Sequence, residues 1–348
     1  MKALQQRTGM AMLFITHDFG VVAQIADRLA VMKQGVIVES GTARRLINAP
    51  THEYTRKLLA SLPENLQRQK SVNDSLHRGS DAALLELKGL QVYFPIKKGV
   101  MRRTVDHVKA VDGIDLTIPQ GQILALVGES GCGKSTLGRA ILRLTEPTAG
   151  QIHFNGQEIT ALQRREMQPL RREMQIIFQD PMSSLNPRLS IAATLTEPMK
   201  VHGIGESNEE RLALAQTLLE RVQMKGEHLW RYPHEFSGGQ RQRIGIARAL
   251  ALSPKFIVCD EVTSALDVSV QAEILQMLLE LRRERDLTLL FITHNIGVVE
   301  YVSDEMAVMH NGRIVEQGPT DRVSRAPQHN YTQKLLAAVP RIDFGLQR

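Results

Sequence analysis

Gly128-Glu129-Ser130-Gly131-Cys132-Gly133-Lys134-Ser135-Thr136 is the stretch of sequence that decides the fold of this chain. It matches the phosphate-binding loop pattern G-x-x-x-x-G-K-[ST]. The short apolar run at residues 122–127 predicts a buried strand before the loop, and residues 137–144 predict a helix after it. A strand, a glycine-rich loop and a helix, in that order, form the context in which this motif binds phosphate.

The residue types in this loop suit phosphate chemistry. Gly128, Gly131 and Gly133 permit tight turns that bring backbone N–H groups against phosphate oxygens. The N-terminus of the following helix adds a partial positive charge behind them. Lys134 supplies a full positive charge for the outer phosphates, and Ser135 supplies a hydroxyl for Mg²⁺. The loop therefore predicts a nucleotide-binding protein.

The composition is that of a globular protein. The chain has 348 residues, of which 43% are hydrophobic and 23% charged, and this length suits roughly two domains. We find no uninterrupted apolar stretch of about 18 residues, as a membrane-spanning helix requires, and the first residues lack the apolar core of a signal peptide. Cys132 and Cys259 are the two cysteines, which fits a reducing cytoplasm and excludes a zinc site made of cysteine alone. The net charge of +6 permits anionic partners, or it belongs to solvated arginine-rich helix faces.

An internal repeat spans the two ends of the chain. Leu13-Phe14-Ile15-Thr16-His17 recurs as Leu290-Phe291-Ile292-Thr293-His294, and Gly41 and Tyr54 match Gly318 and Tyr331 at the same spacing. The repeat predicts a duplicated module, with residues 1–63 as the C-terminal remnant of a first copy and residues 64–83 as a polar linker. We expect a truncated tandem protein or a start assigned too late. We also expect the remnant to be poorly held unless it docks on another copy.

From residue 84 onward, predicted strands alternate with predicted helices. Alternating apolar and polar residues at 84–94 predict a half-buried strand, and the apolar runs at 174–178 and 256–259 predict buried strands. The helical pattern at 190–252 predicts an all-helical insert between Gln179 and Phe256. These elements together indicate an α/β protein. The other predicted elements are strands at 108–118, 151–156, 288–293 and 304–316 and helices at 164–172 and 268–285.

Two carboxylates follow the predicted strand at 256–259. Because a P-loop fold sets such a strand beside the phosphate loop, we expect Asp260 to hold Mg²⁺. Glu261 is then placed to orient or deprotonate a water that attacks the γ-phosphate. An acidic pair at the start of a surface helix is the alternative interpretation, and the preceding phosphate loop favours the functional one.

Residues 84–318 resemble the ATP-binding subunits of ABC transporters. Phe236-Ser237-Gly238-Gly239-Gln240 is similar to the family signature, with Phe in place of the commoner Leu. A serine, two glycines and a helix N-terminus make a second phosphate cradle. The resemblance implies an α/β fold with a P-loop NTPase core of ABC type, an antiparallel β subdomain and an α-helical subdomain. It also implies that the cradle faces the phosphate loop of a second module, so that two ATP molecules lie between two domains.

The resemblance also assigns the remaining site residues. Gln179 matches a glutamine that links the site to the membrane subunit, and His294 matches a histidine that contacts the γ-phosphate. Phe94 matches an aromatic residue that stacks on adenine, although Tyr93 is a neighbouring alternative and both can equally belong to the core. The implied catalytic residues are Glu261, His294 and Gln179; the implied Mg²⁺ ligands are Ser135, Gln179 and Asp260; and the implied ATP-binding residues are Phe94, Gly128, Ser130, Gly131, Cys132, Gly133, Lys134, Ser135, Thr136, Ser237, Gly238, Gly239, Gln240 and Asp267.

Residues 319–348 resemble the C-terminal extension of the oligopeptide, dipeptide and nickel importer subfamily, and residues 49–63 repeat it. Two such modules in tandem resemble the fused ATPases of peptide or glutathione importers. The resemblance implies a second ATPase module as partner, either another copy or a paralogue, together with membrane permease subunits and, indirectly, a solute-binding protein. It implies a peripheral position on the cytoplasmic face of the bacterial inner membrane. Peptide is the favoured cargo class.

Two other classes of function compete with this interpretation. A soluble ABC ATPase that acts on nucleic acid suits the basic charge, but the chain lacks the cysteine-rich zinc modules and the long charged linker of such proteins. We therefore predict no nucleic-acid partner. A nucleotide-binding remnant without turnover is the other alternative. His17, which belongs to the first copy, is expected to be vestigial.

Cys132 lies inside the phosphate loop, where its backbone matters more than its thiol. The neighbouring helix N-terminus is expected to lower the pKa of the thiol. We therefore expect alkylating agents to block the site and ATP to protect it.

Overall fold

The computed structural model describes residues 2–16, 19–66, 82–98, 103–264 and 266–339. His17 and Ala265 lie outside these ranges, as do most of the predicted linker and residues 340–348. The strands are β1 (Arg28–Lys33), β2 (Val36–Thr42), β3 (Ala83–Lys98), β4 (Arg103–Pro119), β5 (Ile123–Val127), β6 (Ala149–Phe154), β7 (Gln157–Glu158), β8 (Met174–Ile177), β9 (Phe256–Asp260), β10 (Thr288–Ile292), β11 (Glu305–His310) and β12 (Arg313–Pro319). The helices are α1 (Lys2–Thr8), α2 (Phe19–Ile25), α3 (Ala43–Asn48), α4 (Glu53–Ala60), α5 (Lys134–Ile141), α6 (Met167–Glu173), α7 (Pro181–Ser184), α8 (Ile191–Val201), α9 (Asn208–Arg221), α10 (Gly238–Leu250), α11 (Val268–Arg285), α12 (Ile296–Val302), α13 (Thr320–Arg325) and α14 (Asn330–Ala337).

A six-stranded sheet forms the core, in the order β12-β11-β5-β10-β9-β8. The strands from β11 to β8 are parallel to their neighbours, and β12 is an antiparallel edge strand. Every residue of β5, β9 and β10 is buried. Their continuous apolar sequences are explained by this burial, because helices or strands cover both faces of the sheet.

The two faces of the core sheet contribute to different hydrophobic clusters. Leu124, Val258 and Leu290 belong to a cluster that includes α5 and the strands of a second sheet. Ile257 and Phe291 point the other way and belong to a cluster with α8, α9, α10 and α11. This alternation follows from the two-residue period of a strand.

The second sheet is antiparallel, in the order β4-β3-β6-β7. Helices α7 to α10 and two short 3₁₀ turns, Gly226–Trp230 and Pro233–Glu235, form the helical region between β8 and β9. The predicted α/β fold with an antiparallel β part and an α-helical part is therefore confirmed.

Part of the N-terminal segment packs on the rest of the chain. Strands β1 and β2 form a separate two-stranded sheet. Phe19, Leu59 and Leu62 bury their side chains in a small cluster with Val268, at the start of α11. Leu13, by contrast, is 90% exposed. The segment thus docks on the following module at its α11 face, while the strand-like sequence of its repeat remains outside any sheet of the described residues.

The predicted strand at 304–316 is wrong in one respect. The structure has two antiparallel strands there, β11 and β12, joined by Asn311 and Gly312. Both residues have positive φ, 46° and 81°, as a type I′ hairpin turn requires. The Asn-Gly pair carried this signal in the sequence. The predicted helix at 164–172 begins only at Met167, as α6.

Across the parts of the chain that the structure describes, no helix has the length and apolar character needed to span a bilayer.

Candidate functional site

Four parallel strands bring the predicted catalytic groups to one edge of the core sheet. The phosphate loop follows β5, His294 follows β10, the Asp260–Glu261 pair ends β9, and Gln179 follows β8. The register aligns Ile292 with both Leu126 and Asp260. Since the carboxyl ends of parallel strands share one edge, groups that are distant in sequence meet there.

The phosphate loop runs from Gly128 into α5. A Cβ built on Gly128 would lie 2.2 Å from the carbonyl oxygen of Met309, and one on Gly133 would lie 2.0 Å from that of Ala110. Only glycine fits at these two positions, where φ is 153° and 111°. The loop is thus wedged between β4 and β11, with Ser130 and Gly131 exposed and Ser135 and Thr136 half-buried at its helix end.

Lys134 is buried under the loop that it follows. Its Nζ atom donates hydrogen bonds to the carbonyl oxygens of Gly128, at 2.9 Å, and Glu129, at 2.8 Å. The side chain is 6% exposed. A buried ammonium requires partners, and here the loop's own carbonyl groups supply them. The charge is therefore held at the loop.

Ser135 and Asp260 are in direct contact. The Ser135 hydroxyl donates to Oδ1 of Asp260 at 2.8 Å. Asp260 is 3% exposed, and burial raises the pKa of its carboxyl, while the Ser135 hydrogen bond acts in the opposite direction. A buried carboxylate beside a hydroxyl presents oxygen atoms, the ligand type that Mg²⁺ prefers.

Glu261 contacts two other predicted site residues. Nε2 of Gln179 donates to its Oε2 at 2.6 Å, and Nδ1 of His294 lies 3.3 Å from its Oε1. Glu261 itself has a φ of 47°, a left-handed conformation that strains a non-glycine residue. Its backbone N–H donates to the carbonyl of Ile292 at 2.9 Å. Strain of this kind is concentrated at functional sites, and here it directs a carboxylate between two predicted site residues.

The signature segment forms a helix cap on the surface. The Oγ atom of Ser237 accepts from the N–H of Gln240 at 3.3 Å, and Gln240 Oε1 accepts from the N–H of Ser237 at 3.0 Å. This reciprocal pair is a capping box at the start of α10. Ser237 and Gln240 are exposed, and Gly238 and Gly239 are half-buried. The cradle is therefore open to solvent rather than enclosed within its own domain. Asp267, just before α11, is also exposed.

The two candidate aromatic residues on β3 have different surroundings. The Tyr93 hydroxyl donates a hydrogen bond to Asp112, which also accepts from Arg313 at 2.8 Å. Phe94 is 44% exposed and pairs across the sheet with Val108 on β4, two residues before the Ala110 carbonyl that contacts Gly133. Phe94 is the one with a free face, so the adenine-stacking role stays a prediction for Phe94.

The expected lowering of the pKa of the Cys132 thiol is wrong, whereas its alkylation and its protection by ATP stay predictions. The residue is 8% exposed, and burial raises the pKa of its thiol; the nearby Lys134 charge opposes this effect without overcoming it. The thiol lies on the inner side of the loop, against Gly128. Desolvation of the thiolate outweighs the helix N-terminus here.

One contact at the phosphate loop comes from the C-terminal extension. The hydroxyl of Tyr331, on α14, accepts a hydrogen bond from the backbone N–H of Glu129 at 3.1 Å. The sequence marked Tyr331 only as a repeated residue of the C-terminal extension. Its pairing with Tyr54 in the repeat was the available signal, but the repeat does not indicate what the hydroxyl touches.

Comparison with protein families agrees with this geometry. Residues 111–264 match the ABC transporter family. Residues 38–89 and 315–348 each match the C-terminal region of oligopeptide/dipeptide transporters. The C-terminal region is therefore recognised twice, in accordance with the internal repeat.

Similar proteins and solved structures point the same way. The chain is 48% identical over 368 residues to the glutathione import ATP-binding protein GsiA of Salmonella paratyphi A, and 47% identical over 366 residues to that of Escherichia coli K12. Both alignments cover all of this chain and 59% of the relative, so the chain spans about 59% of the length of these relatives.

Among solved structures, the dimeric ATP-binding cassette MJ0796 bound to ADP and Pi has a TM-score of 0.61 and 28% identity, covering 68% of this chain and 98% of that one. CbiO1 of Clostridium perfringens, part of the ABC transporter complex cbiONQ, has a TM-score of 0.60 and 27% identity, covering 75% of this chain and 97% of that one. Residues 111–264 thus match the ABC transporter family, the two flanking regions match the C-terminal region of the oligopeptide/dipeptide transporters, and the chain as a whole is similar to importer ATP-binding proteins.

Proposed function

We propose that this chain binds and hydrolyses ATP and thereby powers an ABC importer of peptides, a cargo class that includes glutathione, dipeptides and oligopeptides. The observation that carries this proposal is the meeting of two contacts at one sheet edge: Ser135 with Asp260, and Glu261 with Gln179 and His294. The names of the relatives support the cargo class.

The phosphate loop and α5 bind the triphosphate. Backbone N–H groups from Gly131 to Thr136 and the N-terminus of α5 meet the phosphate oxygens, and Lys134 adds its full charge. Phe94 stacks its exposed face on the adenine ring. Ser130 and Cys132 contribute through the backbone of the loop.

Ser135 and Asp260 fit a Mg²⁺ ion, with Gln179 as a further oxygen donor. Mg²⁺ takes few protein ligands and keeps water and phosphate oxygens as its others, which suits this small donor set. When bound, Mg²⁺ would neutralise charge on the phosphate oxygens and make the γ-phosphorus more susceptible to attack. The buried Asp260 carboxylate is then ionised beside a cation, which compensates the cost of its burial.

Glu261 is the general base of the reaction. It accepts a proton from the water whose oxygen attacks the γ-phosphorus, while the bond to the bridging oxygen of ADP breaks. Gln179 and His294 each contact one oxygen of the Glu261 carboxylate and so hold this group in a fixed orientation. His294, which is exposed, also reaches the γ-phosphate.

A second ATPase module completes each site. The exposed Ser237 to Gln240 cradle meets the nucleotide bound to the partner's phosphate loop, and Asp267 lies on the segment that crosses between the modules. The partner is another copy of this chain or a paralogue. The dimeric cassette among the structural relatives supports this arrangement.

The rest of the transporter is a set of membrane permease subunits, with a solute-binding protein acting through them. The subunit is peripheral on the cytoplasmic face of the bacterial inner membrane. Within the chain, we propose a first-module remnant at residues 1–63, a linker at 64–83, a complete ATPase domain at 84–318 and an extension at 319–348.

Steady-state ATP hydrolysis at increasing concentrations of the purified chain tests this function. We expect a Mg²⁺-dependent rate per molecule that rises with protein concentration as complete modules pair, and no hydrolysis by the Lys134→Ala variant. A rate that stays at zero at every concentration would instead identify a nucleotide-binding remnant. DNA-stimulated or RNA-stimulated turnover would favour the nucleic-acid alternative.

A further inference from the structure

The peptide group between Gly128 and Glu129 is held at both of its ends. Its carbonyl oxygen accepts from Nζ of Lys134 at 2.9 Å. Its N–H donates to the hydroxyl of Tyr331 at 3.1 Å. One peptide plane thus connects the lysine of the phosphate loop to a tyrosine of the C-terminal extension.

The two hydrogen bonds reinforce each other. A positive charge on the carbonyl side polarises the peptide group, and a polarised peptide is a stronger N–H donor. Because Gly128 has no side chain, its own backbone dihedral angles restrain this peptide less than those of another residue would. The Tyr331 hydroxyl therefore fixes the orientation of the carbonyl that positions the Lys134 ammonium.

Ring packing and a set of hydrogen bonds hold Tyr331 in a fixed orientation. Its ring packs on the ring of His310, at the end of β11, with centroids 3.9 Å apart. The Glu316 carboxylate accepts from the N–H groups of Gln328, at 2.9 Å, and His329, at 3.1 Å, just before α14. Nδ1 of His329 accepts from the N–H of Tyr331 at 3.2 Å. A side chain held by packing and by a supporting shell of hydrogen bonds can position another group accurately.

The first copy of the repeat carries the same support without a phosphate loop beside it. Glu39, which matches Glu316, accepts from the N–H groups of Thr51, at 2.8 Å, and His52, at 3.2 Å. Tyr54, which matches Tyr331, lies under Nζ of Lys33, 4.9 Å from the ring centroid. The support is thus a property of the extension itself, whereas the hydrogen bond to the phosphate loop is specific to Tyr331.

We propose that Tyr331 is a positioning residue for the phosphate loop, through which the C-terminal extension controls the orientation of the Gly128–Glu129 peptide and of Lys134. The inference rests on the proposed nucleotide site and adds a link between that site and the extension. Loss of the Tyr331 hydroxyl allows the Gly128–Glu129 peptide to rotate. The phosphate loop then becomes more mobile and binds the triphosphate more weakly.

The two cysteines allow a test that does not require ATP. Cys132 lies inside the loop against Gly128 and is 8% exposed, and Cys259 on β9 is fully buried. Labelling of Cys132 by a small maleimide therefore reports opening of the loop, and labelling of Cys259 reports global unfolding. The variants to compare are Tyr331→Phe, which keeps the ring on His310, and the matched control Tyr54→Phe.

Without nucleotide, Tyr331→Phe is expected to label Cys132 about threefold to tenfold faster than the wild type, the factor that corresponds to one neutral hydrogen bond. Cys259 is expected to stay unlabelled, and Tyr54→Phe to behave like the wild type. Equal Cys132 labelling in Tyr331→Phe and the wild type would overturn the proposal, as would an equal rise in both tyrosine variants.

A second arm measures nucleotide directly. Tyr331→Phe is expected to raise the Kd of MgATP, and the KM of any hydrolysis, about threefold to tenfold while kcat changes less. A fall in kcat with Kd and KM unchanged would contradict positioning of the loop. If the wild type binds no ATP, the proposed function fails, while the labelling result still decides the role of Tyr331.

Discussion

The Ser135 hydroxyl and the Asp260 carboxylate meet at 2.8 Å, between the start of α5 and the end of β9. The two residues are far apart in sequence, and the core sheet alone brings them together. Because Asp260 is buried and its pKa is raised by that burial, the carboxylate is less stable in the free protein than it would be in water. We therefore expect this pair to bind a cation, which would stabilise the ionised carboxylate.

Asp260→Asn is expected to affect MgATP binding and the stability of the free protein differently. We expect the variant to bind MgATP at least about tenfold more weakly, a difference of ~1.4 kcal/mol, because it loses an anionic metal ligand. Without Mg²⁺, its free energy of unfolding is expected to equal or exceed that of the wild type, since a buried charge is removed. Isothermal titration calorimetry and urea denaturation measure the two quantities. The matched control is Ser135→Thr, which keeps the hydroxyl.

The pH dependence follows from the same shift. A carboxyl whose pKa is raised in the folded state binds more protons when folded, so its contribution to stability falls as pH rises above the unfolded value of about 3.9. The stability difference between Asp260→Asn and the wild type is therefore expected to grow from acid to neutral pH. A wild type that is more stable than the variant at pH 7 without Mg²⁺ would refute this interpretation of Asp260.

Phe94→Ala tests the adenine platform. We expect the Kd of ATP to rise roughly fivefold to a hundredfold, the range that corresponds to about 1–3 kcal/mol for stacking of one base on an aromatic ring. Tyr93→Phe is the matched control, since it keeps the ring and removes only the hydrogen bond to Asp112. Fluorescence titration with a labelled ATP analogue measures both. Unchanged ATP binding in Phe94→Ala, or a loss no larger than that in Tyr93→Phe, would show that Phe94 is not the adenine platform.

Glu39→Gln tests how the N-terminal segment is held. The neighbouring Thr55 side chain, together with hydrogen bonds from Thr51 and His52, lowers the pKa of Glu39 to about 2. A lowered pKa means that this stabilisation is fully present above the unfolded value of about 4.3 and is lost as pH falls toward 2. We expect Glu39→Gln to reduce hydrogen-exchange protection of α4 by about 1–2 kcal/mol at pH 7.

The control for this measurement is Glu53→Gln, which replaces an exposed glutamate in the first turn of α4. The difference between Glu39→Gln and the wild type is expected to shrink between about pH 4.3 and pH 2, where the wild-type carboxylate becomes protonated. Unchanged α4 protection in Glu39→Gln at pH 7 would show that the anchor is not what holds this segment.

The sequence predicted the groups that lie within continuous motifs. Gly128 to Thr136 and the Asp260–Glu261 pair carry their chemistry in local spacing, and the order of strands in a parallel sheet explains why they meet. The hairpin at Asn311 and Gly312 was also predictable, because an Asn-Gly pair between two apolar runs is a strong local signal for a two-residue hairpin turn.

Other features depend on three-dimensional contacts that spacing does not encode. The pKa of Cys132 depends on which side of the loop the thiol occupies, and burial there outweighs the helix N-terminus. The Tyr331–Glu129 hydrogen bond joins two segments through β11 and α14, and the repeat carried no information on it, because Tyr54 has the same sequence context in the first copy.

Glu261→Gln tests the central claim most directly, since the claim is that the phosphate loop, Asp260, Glu261 and His294 act on one triphosphate. The measurement pairs MgATP binding with single-turnover hydrolysis, using an exposed glutamate variant, Glu158→Gln, as the control. We predict that Glu261→Gln binds MgATP within about twofold of the wild type and hydrolyses it roughly a hundredfold to ten-thousandfold more slowly, the range expected for loss of a general base. Hydrolysis by Glu261→Gln at the wild-type rate would contradict the account.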